Sequence, residues 1–248
     1  MNAVGLGVDI GGSGIKAAPV DLTTGTFAAP RVRIPTPRPA TPDAVAATVA
    51  QVVDQFAVDP HLPMGVAFPA VVRHGVACSA ANIDAQWVGT NIEDVVGAAT
   101  GRPVHAVNDA DAAGYAEVAY GAARDVAGVV LVVTLGTGIG SALVVDQHLV
   151  PNTELGHLEI DGFDAETRAG DAARERDNLD WAAWAQRLQR YFDVVESLFS
   201  PDLIVVGGGV SKKHELFLPL LDLRAPIVPA SLRNDAGIVG AARLAADV

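Results

Sequence analysis

Val4 to Asp21 reads VGLGVDIGGSGIKAAPVD, and its pattern decides the class of fold. Val4, Leu6, Val8 and Ile10 alternate with Gly5, Gly7 and Asp9, the period of a half-buried strand. The run breaks at Gly11-Gly12-Ser13-Gly14 and resumes at Ile15-Lys16-Ala17-Ala18, so the stretch reads as a β-hairpin. Glycines leave backbone N–H groups open to an anion, and here an acid and a lysine flank the turn. A phosphate on this turn, with Asp9 holding Mg²⁺ directly or through water, is one reading. A tight hairpin with no ligand is the other.

The rest of the chain limits what such a turn serves. Half of the 248 residues are hydrophobic, enough for a sizeable core, and no apolar run approaches the ~20 residues of a membrane span. The N-terminus enters a strand at once, without a signal-like segment. Cys78 is the single cysteine, which excludes an internal disulfide and a multi-cysteine metal site. The expectation is a cytoplasmic, soluble protein with no membrane partner. Seventeen basic residues against 29 acidic ones give a net charge of −12, which argues against a nucleic-acid surface. The three lysines, Lys16, Lys212 and Lys213, all adjoin glycine-rich turns, a placement that favours phosphate.

Along the chain, Thr24 to Ile34 reads as a third strand. PTPRPATP (35–42) is either a rigid connector or a donor-site loop with Arg31, Arg33 and Arg38 nearby. Thr41 caps a helix with Pro42 at its first position and Val45, Val49, Val52, Val53 and Phe56 as its buried stripe. Met64 to Phe68 is a strand, 71–79 stays extended, and 82–87 is a polar loop. Thr90 and Glu93 form a capping box for a helix to Ala99. Val104 to Val107 is a strand ending at Asn108-Asp109, followed by a helix over 112–121 that Asp111 caps. Later elements are strands at 129–134, 142–146, 203–206 and 227–228, a helix at 179–199, a glycine turn at 207–209, a helical stretch at 212–221 and a last helix at 234–246.

The opening hairpin has an echo. DIGGSGIKAAPVD (9–21) sets over TLGTGIGSALVVD (134–146) without a gap, matching Gly11 to Gly136 and Ala17 to Ala142, and each is followed by the same broad order of elements. Internal duplication predicts two α/β lobes, 1–109 and 110–248, around a cleft. A Walker loop is absent because Ala17 follows Lys16, and GxGxxG is absent at Gly136–Gly140, so a dinucleotide fold is not expected.

DIGGSGIK, VNDADAA, LGTGIGSA, ELGHLE and GGGV in this order resemble the ROK family of sugar kinases, over almost the whole chain. TPRPATP, LVPNTELGHLE and DGFDAETRAGDAARER further resemble its polyphosphate glucokinase branch. The resemblance implies a two-lobed actin-like (ribonuclease-H-like) sugar kinase fold, with the final helix (234–248) packing back on the first lobe, and a homodimer. It implies transfer of a phosphoryl group from inorganic polyphosphate, or ATP, to the 6-hydroxyl of glucose, with Asp109 as general base. A strictly ATP-dependent hexokinase acting on glucose, mannose or an N-acetylated hexose is the alternative. Asn82, Asn108, Glu154, His157 and Glu166 are the implied sugar ligands, with Glu159 competing with Glu166 for the last place; Trp87 is a packing wall. Gly11, Gly12, Ser13, Gly14, Lys16, Thr137, Gly138, Gly208, Gly209 and Lys212 are the implied donor side, with Asp9 nearest to Mg²⁺. Most members bind zinc through the histidine and a cysteine cluster after ELGH. That cluster is missing here, so no structural zinc is expected.

Overall fold

The computed structural model describes residues 4–80 and 83–248. They form two compact units: one of the described residues up to 116 together with 235–248, the other of 117–234.

In the first unit β1 (Val4–Gly11) and β2 (Gly14–Asp21) are the antiparallel hairpin read from the sequence, closing on Gly11 opposite Gly14. The expected third strand is two short ones, β3 (Thr26–Phe27) and β4 (Val32–Ile34), both paired with β2. Pro30 lies between them and has no N–H to continue a ladder. The helix α1 (Pro42–Val53) starts as expected, the Thr41 side chain accepting from the Ala44 N–H. It buries Val45, Val49, Val52 and Val53; Phe56 lies beyond its end but still packs on the same core. β5 (Met64–Phe68) pairs parallel with β1. The expected extended run at 71–79 is a small hairpin, β6 (Val72–Arg73) and β7 (Val76–Ala77). His74 and Gly75 both have positive φ at its turn.

The helix α2 (Ile92–Thr100) is capped by Asn91, not by the expected Thr90. Glu93 therefore does not complete a capping box; its carboxylate accepts from the Ala106 N–H of β8 (Val104–Asn108). Trp87 is fully buried, with its indole N–H donating to the Ala40 carbonyl. α3 (Asp109–Tyr120) begins directly after β8, three residues before the expected start. Asn108 supplies the cap, accepting from the Ala110 and Asp111 N–H groups, and this displaces the expected Asp111 cap. Asp111 sits instead, buried, in the first turn.

The second unit repeats the pattern. β9 (Val129–Leu135) and β10 (Ile139–Val145) form an antiparallel hairpin, extended by β11 (His148–Val150). A two-stranded hairpin follows, β12 (Glu159–Ile160) and β13 (Phe163–Asp164), then α4 (Glu166–Ala169), α5 (Asp171–Arg176) and α6 (Trp181–Phe199). Asp180 caps α6 by accepting from the Ala183 N–H. β14 (Leu203–Gly207) pairs parallel with β9, and β15 (Ile227–Pro229) with β14. The stretch expected to be helical after Lys212 is a pair of 3₁₀ turns, Gly209–Leu216 and Leu218–Leu220. Non-helical Lys213 and then Pro219 prevent a regular α-helix.

The sheet orders are β3-β2-β1-β5-β8 in the first unit and β11-β10-β9-β14-β15 in the second. Each therefore opens with an antiparallel hairpin whose first strand then takes a parallel neighbour. The first core joins Leu6, Val8, Ile10 and Ile15 to the apolar face of α1; the second joins Leu131 and Val133 to Trp184, Leu188 and Phe192 of α6. Burying each such large side chain contributes about 1.5–3 kcal/mol.

The last helix, α7 (Ala236–Ala246), belongs to the first unit and lies against β1 and β5. That approach needs glycine: a Cβ on Gly65 would stand 1.8 Å from the Ala241 carbonyl oxygen. No described helix is long and apolar enough to cross a membrane.

Candidate active site

In the first unit, strand register puts Asp9 directly opposite Lys16, and the lysine Nζ lies 2.7 Å from an Asp9 carboxylate oxygen. Both side chains are mostly buried, so the pair is better screened from water than a surface bridge. Gly12 and Ser13 at the tip of the hairpin are exposed. Arg33 of β4 reaches the tip, donating to the Ser13 carbonyl at 2.6 Å. Its guanidinium occupies the space a Cβ on Gly14 would need, so Gly14 makes room for a cation at the turn. Thr36 donates to the Gly11 carbonyl, tying the proline-rich segment to the same tip. Arg31 instead pairs with Asp235 at 2.6 Å.

The Asn108-Asp109 pair stands where β8 becomes α3. Asn108 is buried, its amide donating to the Ala70 carbonyl at 3.0 Å while its oxygen caps the helix. Asp109 is exposed, and one carboxylate oxygen accepts from the Ala110 N–H at 2.8 Å. The helix dipole favours a negative charge at that position. Asn82 lies outside the described residues.

In the second unit the ELGH segment is fastened to β10. The Ser141 hydroxyl donates to the Thr153 carbonyl at 2.6 Å and accepts from the Leu155 N–H at 3.0 Å. A Cβ on Gly156 would collide with the Ile139 carbonyl, so glycine there lets the segment lie flat on the strand. Glu154 and His157 emerge exposed at either end of this 3₁₀ turn. His157 Nδ1 lies 2.8 Å from an Asp164 oxygen. That hydrogen bond raises the imidazole above its ordinary range; partial burial opposes it, and the charges of Glu166, Asp164 and Glu154 add to it. Desolvation raises the Glu154 carboxyl, with His157 opposing and Glu166 reinforcing.

Glu166, the first residue of α4, folds back on the glycine turn of the second hairpin. Its carboxylate accepts from the Ile139 N–H at 3.1 Å and fills the space beside Gly138. One N–H of a turn read as phosphate-binding thus holds an acid of this chain, while Thr137 is exposed at its tip. His157, Asp164 and Glu166 each offer a ligand atom, all within 4.8 Å of one another. This is a donor set for a sugar edge, and in composition also one for a divalent cation. Glu159 does not join it.

Asp164 is the residue sequence reasoning missed. Its signal was Ile160-Asp161-Gly162-Phe163, an Asp-Gly turn with positive φ at both central residues. That turn puts Asp164 opposite Glu159 on a hairpin and just ahead of Glu166.

At the third glycine turn, Gly208 has φ +82°, and a Cβ there would meet the Leu135 backbone. Gly209 opens the 3₁₀ stretch, Ser211 donates back to the Gly208 carbonyl, and Lys212 is exposed. Lys213 lies 5.5 Å over the Trp181 ring, so its charge is partly engaged.

The model of the ROK family matches residues 5–180, and the chain belongs to the ROK family. Its fold is the two-lobed, actin-like fold of ROK sugar kinases. The chain is 49% identical over 239 residues to a polyphosphate glucokinase of Mycobacterium tuberculosis, covering 96% of this chain and 89% of that one. It superposes on the inorganic polyphosphate/ATP-glucomannokinase of an Arthrobacter species with a TM-score of 0.94 and 57% identity, covering 99% of each chain. A ROK family glucokinase of Streptomyces griseus shares the fold at a TM-score of 0.85 and 24% identity, covering 99% of this chain and 100% of the other.

Proposed function

We propose that this chain is a glucokinase that transfers a phosphoryl group from inorganic polyphosphate, and also from ATP, to the 6-hydroxyl of glucose. The observation that carries this reading is the 49% identity to a polyphosphate glucokinase over 96% of the chain. Mannose is a second acceptor on this reading, suggested by the name of the Arthrobacter relative at 57% identity.

Asp109 is assigned as the general base that takes the 6-hydroxyl proton as the hydroxyl oxygen attacks phosphorus. At the start of α3 its side chain is exposed, within reach of an incoming substrate. Glu154, His157 and Glu166 bind sugar hydroxyls: the carboxylates accept, and the imidazole donates through the nitrogen that does not face Asp164. Asn108 orients the Asp109 segment and keeps one amide N–H for the sugar. Gly11, Gly12, Ser13, Gly14 and Lys16 hold donor phosphates, with Thr137, Gly138, Gly208, Gly209 and Lys212 as the second donor surface.

Lys16 takes one Asp9 oxygen, which leaves the other to hold a Mg²⁺ ion or its water. When bound, Mg²⁺ supplies charge neutralisation on the donor oxygens. The active form is assigned as a cytoplasmic homodimer, which sedimentation velocity tests for its oligomeric part.

Purified protein with glucose, Mg²⁺ and either polyphosphate or ATP decides the donor. No glucose 6-phosphate from polyphosphate overturns the proposal in favour of the ATP-dependent hexokinase. Asp109→Asn is expected to lower kcat by about 10²–10⁴-fold, with glucose binding by calorimetry retained.

A further inference from the structure

A cavity of about 430 Å³ lies wholly within the second unit, against Ile160 and Phe163 of the β12–β13 hairpin. Its size falls in the range of small-molecule sites. Phe163, Leu179 and Ala183 supply apolar wall, and Arg168, Arg187 and Arg190 supply three guanidinium groups. Arg190 is paired with Asp161 through two hydrogen bonds, and Arg187 with Asp177 at 2.6 Å. Arg168 has no ion-pair partner among the described residues; its guanidinium rests 4.3 Å over the exposed Phe163 ring. Asp161 also lines the hollow, and with Arg190 and Arg187 each paired to an acid, Arg168 is the guanidinium left to meet an anion there. Tyr191 also lines the cavity; it is 1% exposed and its hydroxyl has no hydrogen-bond partner among the described residues. A buried unpaired hydroxyl marks a place where the protein alone does not complete the hydrogen bonding.

The wall of this cavity is also the support of the sugar cluster. Phe163 and Ala165 face the cavity, while Asp164 holds His157 and Glu166 holds the Ile139 N–H. Phe163 and Asp164 are consecutive on β13, so the residue that lines the cavity and the residue that holds His157 share one peptide bond.

We propose that this cavity binds a small organic anion, a phosphate or carboxylate on an apolar body, and that its occupancy resets the His157–Asp164–Glu166 cluster and changes glucose affinity. The apolar body lies on Phe163, Leu179 and Ala183, and the anionic group meets Arg168. The coupling to glucose rests on the sugar site proposed above; the binding of the anion does not.

The test is calorimetry on the full chain with 1-naphthyl phosphate, 1-naphthoate and inorganic phosphate as probes. The two naphthyl probes are expected to bind saturably, one per chain, and inorganic phosphate at least about tenfold more weakly, because it lacks the apolar part. Arg168→Ala is expected to weaken naphthyl phosphate by about tenfold or more. Ala183→Trp, which fills the hollow, is expected to abolish binding while leaving basal kcat unchanged. The dissociation constant of glucose is expected to shift at least about twofold in the presence of the probe. Absence of saturable binding, or binding that neither substitution alters, overturns the site. Binding without a glucose shift overturns the coupling alone. If glucose itself does not bind, the sugar reading fails while the probe titrations still decide the cavity.

Discussion

The two glycine hairpins share a sequence pattern and a place in their sheets, yet their turns are finished with opposite charge. The first closes with Gly11 opposite Gly14, and its tip is tied by Lys16 on Asp9 and Arg33 on Ser13. The second closes with Leu135 opposite Ile139, and its turn is tied by the Glu166 carboxylate. The closing pairs also differ in register. The ungapped match aligns Ile10 with Leu135 and Ile15 with Gly140, but Leu135 pairs with Ile139. The first turn has two residues between its closing pair and the second has three, and the pairing is offset by one position, so the matched columns are out of step across the ladder. Similar glycine turns therefore mark equal positions in the fold without fixing equal chemistry. The first is tied by cations, and the second by an acid of this chain.

That contrast breaks or stands on a crossed pair of substitutions. Lys16→Met is expected to raise KM for polyphosphate and leave glucose unchanged; Glu166→Gln is expected to do the reverse. Each removes a charge-assisted interaction of about 1.5–3 kcal/mol, about 10- to 150-fold in the affected constant. Steady-state kinetics with each substrate varied in turn reads it, and a change in both constants for either variant abolishes the contrast.

A smaller effect comes from the glycines themselves. In Gly138→Ala the new Cβ would stand 2.1 Å from a Glu166 oxygen and drive it off the Ile139 N–H. A loss of about 1–3 kcal/mol in urea unfolding is expected. In Gly14→Ala the clash is with the Arg33 guanidinium, the far end of a flexible side chain that swings away. A loss below about 1 kcal/mol is expected there.

The smallest effect sharpens the acidic side. Asp164 holds the His157 proton, so the imidazole stays charged to higher pH than an ordinary histidine. Asp164→Asn removes the leading cause, and the His157 midpoint followed by NMR is expected to fall. The native-state preference for the charged form is present below the ordinary histidine range and is lost as pH rises through the raised value. An unchanged midpoint would refute the assigned role of Asp164.

Much of the molecule is legible in local pattern. The period-2 run to Ile10, the Thr41-Pro42 helix start and the buried strand at 129–134 are where the pattern puts them. The differences arise where a neighbour in sequence competes for one task. Asn91 took the cap expected of Thr90, whose hydroxyl donates to the Gln86 carbonyl instead. Asn108 took the cap expected of Asp111 because it stands at the strand end, with its amide anchored on Ala70. The run after Lys212 failed as an α-helix because Pro219 lies within it. Asp164 went unread because its role depends on a hairpin that brings it to His157 from seven residues away.

By itself the sequence determined the long strands, the glycine turns, their order and the family motifs, because these depend on residues adjacent along the chain. Tertiary structure alone decided that Asp164 meets His157 and that Arg33 crowns the first turn, and it set α7, already expected on the first lobe, against β1 and β5 in particular. The opening stretch from Val4 to Asp21 shows both sides. Its hairpin follows from alternation and glycine, whereas its partners come from segments whose approach is set by packing and register, which no local period encodes.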